Sequence, residues 1–311
     1  YIFSGSAVVD WKNTTGFGKD GKPPLVAIYT SHDMKKDKAG RQDVESQSIA
    51  YSNDRGRTWT KYTGNPVLPN PGTGKEYRDF RDPKVFWHEP SKQWVVVLAT
   101  GNHAEFWGSP DLKKWVYLSS FGKEYGTHMG VWECPDLFEV PVEGGGTRWV
   151  LVVNMNPGGP AGGSGTQYFV GTFDGTRFVA EGDARTPRWA DYGSDFYAGV
   201  SWNDVPASDG RRVWLGWMSN WTYAQQVPTS PWRSGMTVAR SLTLRPSADG
   251  LRLVQRPVRE LESLRTGPPR RFMGGSFAQA AAWLEQQRDL PPLLDMELTL
   301  GSVTPRTPVT L

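Results

Sequence analysis

A short turn motif recurs three times along the chain and limits the folds that the sequence can adopt. Its first copy, at 52–59, reads Ser-Asn-Asp-Arg-Gly-Arg-Thr-Trp, and further versions lie at 109–115 and 172–178. In such an Asp-box turn the carboxylate can accept hydrogen bonds from turn backbone N–H groups while the aromatic residue packs beneath. One hairpin with one aromatic residue in roughly every 60 residues is typical of the four-stranded blades of a β-propeller.

The segments between these turns have the composition of β-strands. Glycine (35) and proline (24) are frequent, and no helical period is found before Val258. Short runs rich in Val, Trp, Tyr and Leu are bounded by Gly, Pro, Asn and Asp; they lie at 24–29, 94–99, 149–153, 168–173 and 213–218. The sequence therefore predicts an all-β protein.

Composition excludes several classes of function. The chain of 311 residues carries 35 Lys and Arg against 32 Asp and Glu, and the charges are scattered, so neither nucleic acid nor a membrane surface is expected as a partner. No apolar run reaches the roughly 18 residues that a membrane span needs. Cys134 is the single cysteine, so no intrachain disulfide can form. The 15 Trp residues suit a β-rich core and also platforms for sugar rings, and core is the default interpretation for each one.

The pattern changes near 256–261, where a short helix-prone linker is expected. Beyond it, 294–300 alternates apolar and polar residues, as a half-buried strand does. The region from about 268 onward is expected to begin a second β domain. Because the chain opens at Tyr1 in an apolar run without Met or a signal peptide, it is interpreted as part of a longer polypeptide.

Two carboxylates stand in similar settings, each at the start of a β-type run. Proline follows Asp82 directly, which is expected to hold Asp82 in an extended conformation. Glu133 lies between Trp132 and Cys134-Pro135, and apolar neighbours would raise its pKa and suit it to donate a proton. Taken singly, a carboxylate before proline is more often a turn stabiliser than a catalytic group.

These residues belong to an ordered set of motifs that resembles glycoside hydrolase family 32, the family of invertases, inulinases and levanases. The set comprises Phe-Ser-Gly-Ser-Ala-Val at 3–8, Arg-Asp-Pro at 81–83, Glu-Cys-Pro at 133–135, the segment 191–198, Trp-Met-Ser-Asn-Trp at 217–221 and Pro-Thr-Ser-Pro-Trp-Arg at 228–233. The resemblance implies a five-bladed β-propeller over residues 1–262, with an incomplete first blade. It also implies a linker and a truncated β-sandwich over residues 263–311.

The resemblance also implies roles for individual residues. Glu133 is the expected general acid/base, and Asp82 is the expected transition-state stabiliser that holds hydroxyls of the fructosyl ring. Asp191 resembles an acidic residue near the substrate, although a blade-closing hydrogen bond explains it equally well. The remaining residues are expected to line the fructose pocket or its aromatic wall: Phe3, Ser4, Arg81, Trp217 and Trp221. No metal or other cofactor is implied.

The departure from the family pattern concerns the nucleophile. In the family it is an aspartate in a Trp-Met-Asn-Asp-Pro-Asn-Gly-type motif that precedes Phe-Ser-Gly-Ser, whereas Asp10 and Asp20 follow that motif here. A retaining glycosidase needs two carboxylates about 5–5.5 Å apart. The expectation is a retaining hydrolase of β-fructosides (levan or inulin in preference to sucrose), secreted by resemblance. The chain itself is expected to be almost inactive, because its nucleophile is missing.

Two alternatives stay open. A sialidase-like propeller also carries Asp boxes, but it needs an arginine cluster and a tyrosine nucleophile, which no motif here indicates. A non-catalytic fructan-binding propeller is compatible with the missing nucleophile. No pattern in the sequence indicates an oligomeric state.

Overall fold

A computed structural model of the chain describes residues 1–72, 74–290 and 293–299. It divides into two compact units, Tyr1–Val258 and Arg259–Leu311. The first unit holds all the strands described below. No helix in the described ranges is long and apolar enough to cross a membrane.

The first unit consists of four antiparallel sheets that follow one another along the chain. The first contains β1 (Ile2–Val9), β2 (Leu25–His32), β3 (Glu45–Ser52) and β4 (Thr60–Lys61), with a short helix α1 (Met34–Lys38) between β2 and β3. The second contains β5 (Phe80–His88), β6 (Gln93–Thr100), β7 (His103–Ser109) and β8 (Val116–Phe121). In both, each strand pairs with the next one along the chain.

The third and fourth sheets have five strands each. The third contains β9 (Val131–Pro141), β10 (Thr147–Asn156), β11 (Gly165–Phe173), β12 (Phe178–Ala180) and β13 (Arg188–Trp189). The fourth contains β14 (Tyr197–Ser201), β15 (Arg212–Met218), β16 (Gly235–Met236), β17 (Arg240–Ser247) and β18 (Gly250–Pro257). The short strands β13 and β16 pair with β11 and β15 outside the main meander.

Hydrophobic cores lie between successive sheets. One cluster joins the first sheet to the second through residues such as Ile28 and Val96. Another joins the second to the third around Phe106 and Leu151. A third cluster, around Trp214, joins the third sheet to the fourth. Meandering sheets that pack face to face in chain order form a propeller arrangement, so the all-β prediction is confirmed.

The number of blades differs from the prediction. The described residues form four sheets instead of five, and the first sheet is a complete meander of four strands. The expectation of an incomplete first blade is therefore wrong for the described residues. The physical reason is that β1, which carries the Phe-Ser-Gly-Ser motif, already opens a blade.

The Asp-box turns join the third strand of a sheet to the fourth. In the first, Asp54 Oδ1 accepts a hydrogen bond from the backbone N–H of Thr58 at 2.9 Å. In the third, Asp174 Oδ1 accepts from the N–H groups of Thr176 and Arg177, both at 2.7 Å. The aromatic residues differ in burial, since Trp59 is 43% exposed and Phe178 is buried. These turns therefore brace the outer edges of the blades.

The second unit contains a 3₁₀ turn at Arg259–Leu264 and helix α2 (Phe277–Glu285). A capping box explains where α2 begins, because Ser276 Oγ accepts from the backbone N–H of Gln279 and the Gln279 side chain accepts from the N–H of Ser276. The segment 294–300 was predicted to be a strand, but its described residues, 294–299, form none; residue 300 lies outside the described residues.

Candidate active site

A β-bulge marks the beginning of each of the four strands that open a sheet. The pairing register shifts between Ile2 and Gly5 in β1, between Arg81 and Lys84 in β5, and between Tyr197 and Val200 in β14. The same occurs in β9 opposite Val152–Asn154. A bulge inserts an extra residue and re-aims the side chains around it. The motif residues therefore lie where the strands turn their side chains away from the regular alternation.

Three of these bulges hold a non-glycine residue in the left-handed region, with φ of 61° at Asp82, 44° at Cys134 and 50° at Ala198. The expectation that Pro83 keeps Asp82 extended is therefore wrong. Proline fits at a bulge because no ladder hydrogen bond is required there. Left-handed backbone in a residue with a Cβ costs roughly 1–2 kcal/mol, and such strain is concentrated at functional sites.

Asp82 is buried at the first of these bulges. Its Oδ2 accepts a hydrogen bond from the backbone N–H of Cys134 at 2.9 Å, and its own N–H donates to Thr30 Oγ1 at 3.0 Å. Burial raises the pKa of Asp82, although the Cys134 N–H and the Arg81 guanidinium oppose the shift. The contact with Cys134 places the Asp82 carboxylate beside the backbone that carries Glu133.

Glu133 is about a quarter exposed, and polar groups hold both of its carboxylate oxygens. Arg81 Nη2 lies 3.1 Å from Oε1, and the hydroxyl of Tyr197 donates a short hydrogen bond to Oε2. The neighbours of the carboxylate are thus a guanidinium and a phenol, in contrast to the apolar surroundings expected from the sequence. Burial, together with the Glu133 charge, raises the pKa of Tyr197, so this hydroxyl stays a donor.

Arg81 connects Glu133 to two further carboxylates. Its Nη1 lies 2.5 Å from Asp79 Oδ1 and 3.4 Å from Glu45 Oε2. Burial disfavours the charge, but the surrounding carboxylates outweigh it and raise the pKa of Arg81. A guanidinium fixed by three carboxylates is a permanent and well-oriented donor.

The start of β1 lies next to this cluster through the contact of Phe3 with His32. The two rings stack with centroids 4.5 Å apart and planes at 14°, and Phe3 is 40% exposed. Ser4, the next residue, is exposed. Ser6 ties β1 to β5, because its hydroxyl donates to Pro83 O at 2.9 Å and accepts from the N–H of Val85 at 3.0 Å.

Two tryptophans adjoin the site through Tyr197. The ring of Trp217 lies 6.3 Å from that of Tyr197 in an edge-on contact, and 5.0 Å from that of Trp221. Trp221 is 46% exposed, whereas Trp217 is partly buried and donates from Nε1 to Ser234 Oγ at 2.5 Å. The pair therefore presents aromatic surface to solvent close to the tyrosine that holds Glu133.

Asp191 makes its contacts elsewhere. Its Oδ2 lies 3.0 Å from Arg240 Nη1, and its Oδ1 accepts from the N–H of Gly193 at 2.9 Å. Arg240 lies on β17, so these bonds brace the segment before β14 against its own sheet. They favour the blade-closing interpretation of Asp191 over contact with Glu133.

Several residues of the site were not predicted. Tyr197 and Asp79 lie within or beside quoted motifs, and the spacing of Asp79 two positions before Arg81 could have suggested a pair. His32, Glu45 and Thr30 carry no local signal, because they come from β2 and β3 and reach the site only through the packing of sheets. Among the described residues, no group of three or more His, Cys, Asp or Glu is arranged to hold a metal ion.

Comparison with known proteins identifies the family of this chain. The sequence model of the "Glycosyl hydrolases family 32 N-terminal domain" matches residues 1–257. A levanase of Bacillus subtilis is 57% identical over 266 residues, which are 85% of this chain and 38% of that protein. An extracellular exo-inulinase of Aspergillus niger is 47% identical over 86% of this chain and 52% of its own length.

A solved structure gives the same result for the fold. The crystal structure of exo-inulinase from Aspergillus awamori superposes with a TM-score of 0.75 at 46% identity, over 82% of this chain and 52% of that one. The chain thus spans about half or less of the length of these relatives. The match over 1–257 and these identities show that the chain belongs to glycosyl hydrolase family 32.

Proposed function

We propose that these residues belong to a retaining β-fructosidase in which Glu133 is the general acid/base and Asp82 holds hydroxyls of the fructosyl ring in the transition state. The observation that carries the proposal is the hydrogen bond from the Cys134 N–H to Asp82, together with the Arg81–Glu133 ion pair. Through these contacts two carboxylates from neighbouring sheets meet at one site. Glu133 is partly exposed, as a group that exchanges protons with a leaving group and with water must be.

In this proposal the remaining site residues bind the sugar. Arg81 keeps its charge and can donate to fructose hydroxyls, while Phe3 and Ser4 form one side of the pocket. The exposed Trp221, with Trp217 behind it, forms the aromatic wall, because a flat ring suits the apolar face of a sugar. Asp191 is assigned to bracing the fourth sheet.

The nucleophile is proposed to be a further aspartate, from a Trp-Met-Asn-Asp-Pro-Asn-Gly-type segment that precedes the Phe-Ser-Gly-Ser motif. It would attack the anomeric carbon as Glu133 protonates the departing oxygen, and Glu133 would then deprotonate the water that releases fructose. Asp82 is an unsuitable nucleophile, since the backbone of Cys134 already occupies Oδ2 and burial favours its protonated form.

Fructans are the proposed substrates, levan or inulin in preference to sucrose. The support is that the relatives of 57% and 47% identity are named a levanase and an exo-inulinase. An extracellular location is proposed with them, because the Aspergillus niger relative is named extracellular.

A fifth blade is proposed to lie between the first and last sheets. The second and third sheets have cores on both faces, whereas each of the outer two has one such core in the described part of the chain. A cleft of about 380 Å³ at this seam is lined by β1, Leu25 and 202–206, and Trp202 in its wall is 46% exposed. The two sides also touch, since the N–H of Val9 donates to Asp204 Oδ2 at 3.3 Å. The propeller over 1–262 and the β-sandwich over 263–311 remain predictions, and residues 294–299 of the latter form no strand.

The proposal is tested by fructose release from levan, inulin and sucrose. Two proteins are compared, the 311-residue chain and the same chain preceded by a Trp-Met-Asn-Asp-Pro-Asn-Gly-type segment. We expect turnover by the extended protein, and turnover lower by a factor on the order of 10⁴ by the 311-residue chain. Fructan binding without turnover by both would favour a binding protein. Full activity of the 311-residue chain would place the nucleophile within it.

A further inference from the structure

His32, the last residue of β2, is placed to act on the site without touching the substrate. Its ring is 9% exposed, and one of its faces stacks on Phe3 at 4.5 Å. Its Nδ1 lies 3.3 Å from Glu45 Oε1, and its Nε2 lies 3.3 Å from Asp37 Oδ2. Both ring nitrogens and one face of the imidazole therefore have a partner.

Glu45 extends this arrangement towards the proposed acid/base. It is the direct cross-strand partner of His32 and is only 2% exposed. Its other oxygen lies 3.4 Å from Arg81 Nη1, and the opposite nitrogen of Arg81 contacts Glu133. Burial raises the pKa of Glu45, while Arg81 and His32 oppose that shift. A buried carboxylate requires such partners.

The backbone does not need the imidazole. His32 is held in the sheet by its N–H, which donates to Tyr1 O at 2.9 Å, and by its pairing with β3. The strand would therefore form with another side chain at this position. The ring contacts Phe3, Glu45 and Asp37. Phe3 is itself a residue of the proposed site, and Glu45 contacts Arg81.

We propose that His32 is a positioning residue for the cleavage of β-fructosides, holding the Phe3 ring by stacking and the Arg81–Glu133 pair through Glu45. The inference rests on the proposed function. Since Phe3 lines the sugar pocket and Glu133 transfers the proton, the two contacts of one ring act on different steps. The stack acts on sugar binding, and the link through Glu45 acts on proton transfer.

Two substitutions separate these contacts in the complete gene product. His32→Phe keeps a ring on Phe3 but removes the bonds to Glu45 and Asp37. We expect it to lower kcat for inulin about 10- to 100-fold, with KM within about threefold, because small displacements of a catalytic group cost that much. His32→Gln keeps a polar group near Glu45 but loses the stack, and we expect it to raise KM roughly tenfold with a smaller change in kcat.

The control is His103→Gln. His103 is another buried histidine beside a glutamate, with Nε2 3.5 Å from Glu105 Oε1, and it lies on β7 of the second sheet. Thermal unfolding of all variants separates loss of function from loss of fold. A Glu45→Gln substitution completes a double-mutant cycle, and His32→Phe with Glu45→Gln should lose no more kcat than the worse single variant, since both break one chain of contacts.

The inference is overturned if the His32 variants match the His103 control in kcat and KM, or if the two losses in the cycle add. It is also overturned if His32→Phe and His32→Gln change kcat and KM alike. A wild-type protein that neither binds nor hydrolyses fructans would remove the proposed function and this inference with it. A fully active wild type with unchanged His32 variants would remove the inference alone.

Discussion

The backbone N–H of Cys134 donates a hydrogen bond to the carboxylate of Asp82 across the boundary between the second and third sheets. Both residues lie at β-bulges with a left-handed backbone, at 61° and 44°. This bond fixes the spacing between two inner strands at the point where their carboxylates meet. The strain of both bulges is thus located at the proposed site of chemistry.

Replacement of Asp82 by Asn should reduce activity and increase stability near neutral pH. Because burial raises the pKa of Asp82, the folded state binds its proton more tightly than the unfolded state. The contribution of Asp82 to stability is fully present below the pKa of this group in the unfolded state, about 3.9. It is lost as the pH rises through the higher pKa of the folded state. Asparagine does not titrate, so Asp82→Asn avoids this loss of stability. Its side-chain oxygen can still accept the hydrogen bond from the Cys134 N–H.

Melting temperatures from about pH 4 to about pH 8 test this linkage. The advantage of Asp82→Asn over the wild type should grow with pH, while kcat falls about 10²- to 10³-fold. Asp82→Ala is the control, because it leaves the Cys134 N–H without its acceptor and should be less stable than Asn. A constant difference across pH would show that Asp82 does not titrate abnormally.

Replacement of Arg81 by Lys should be damaging although the charge is kept. Lysine cannot reach Asp79, Glu45 and Glu133 with a planar fork. Glu45, whose side chain is only 2% exposed, loses a partner, so we expect the free energy of unfolding to fall by about a few kcal/mol. We also expect kcat/KM to fall about 10²-fold. Chemical denaturation and steady-state kinetics provide the two readouts.

The matched control is Arg245→Lys, in which Arg245 forms a two-point pair with Glu143 at 2.7 and 3.0 Å on the surface. For Arg245→Lys we expect the free energy of unfolding to fall by less than about 1 kcal/mol, with no change in kcat or KM. Equal losses of stability from the two substitutions would contradict the importance assigned to the buried cluster.

At Gly5 the backbone of β1 lies close against that of β2. A Cβ there would meet Ile28 O at 2.0 Å and Tyr29 Cα at 2.7 Å, both backbone atoms. Gly5→Ala should therefore shift β1, lower stability by about 1–3 kcal/mol and weaken fructan binding through Phe3 and Ser4. Gly267→Ala, where no atom lies within 4 Å, is the control and should be neutral. Unchanged fructan affinity in Gly5→Ala would argue against Phe3 and Ser4 as part of the pocket.

The fold could be predicted from the sequence as far as its repeating unit. The Asp-box turns, as at Asp54 and Asp174, mark the joint between third and fourth strands, and hence the propeller arrangement. They do not show which strand opens a blade, and the incomplete first blade was expected from the resemblance, which puts the nucleophile motif before Phe-Ser-Gly-Ser. The fourth sheet has a turn at 247–250, in which Ser247 bonds Asp249 but no tryptophan follows.

Residues of the candidate site that lie within sequence motifs could be predicted. Residues that reach it only through the packing of sheets could not. Asp82, Glu133 and Arg81 were identified with their neighbours in sequence. The backbone at Asp82 was misjudged, because the preference of a residue before proline for extended geometry yields at a bulge. His32 and Glu45 contact each other across strands, and only the packing of the first sheet on the second brings them to Arg81.

Glu133 as proton donor is the central claim, and the leaving group tests it most directly. In the complete gene product, Glu133→Gln should cut kcat for inulin by about 10²- to 10⁴-fold, because the departing sugar oxygen needs a proton. The same variant should release 4-nitrophenol from 4-nitrophenyl β-fructofuranoside in a rapid burst followed by slow turnover, since nitrophenolate departs unaided. A burst lost as severely as inulin turnover, or inulin turnover at the wild-type rate, would contradict the assignment of Glu133.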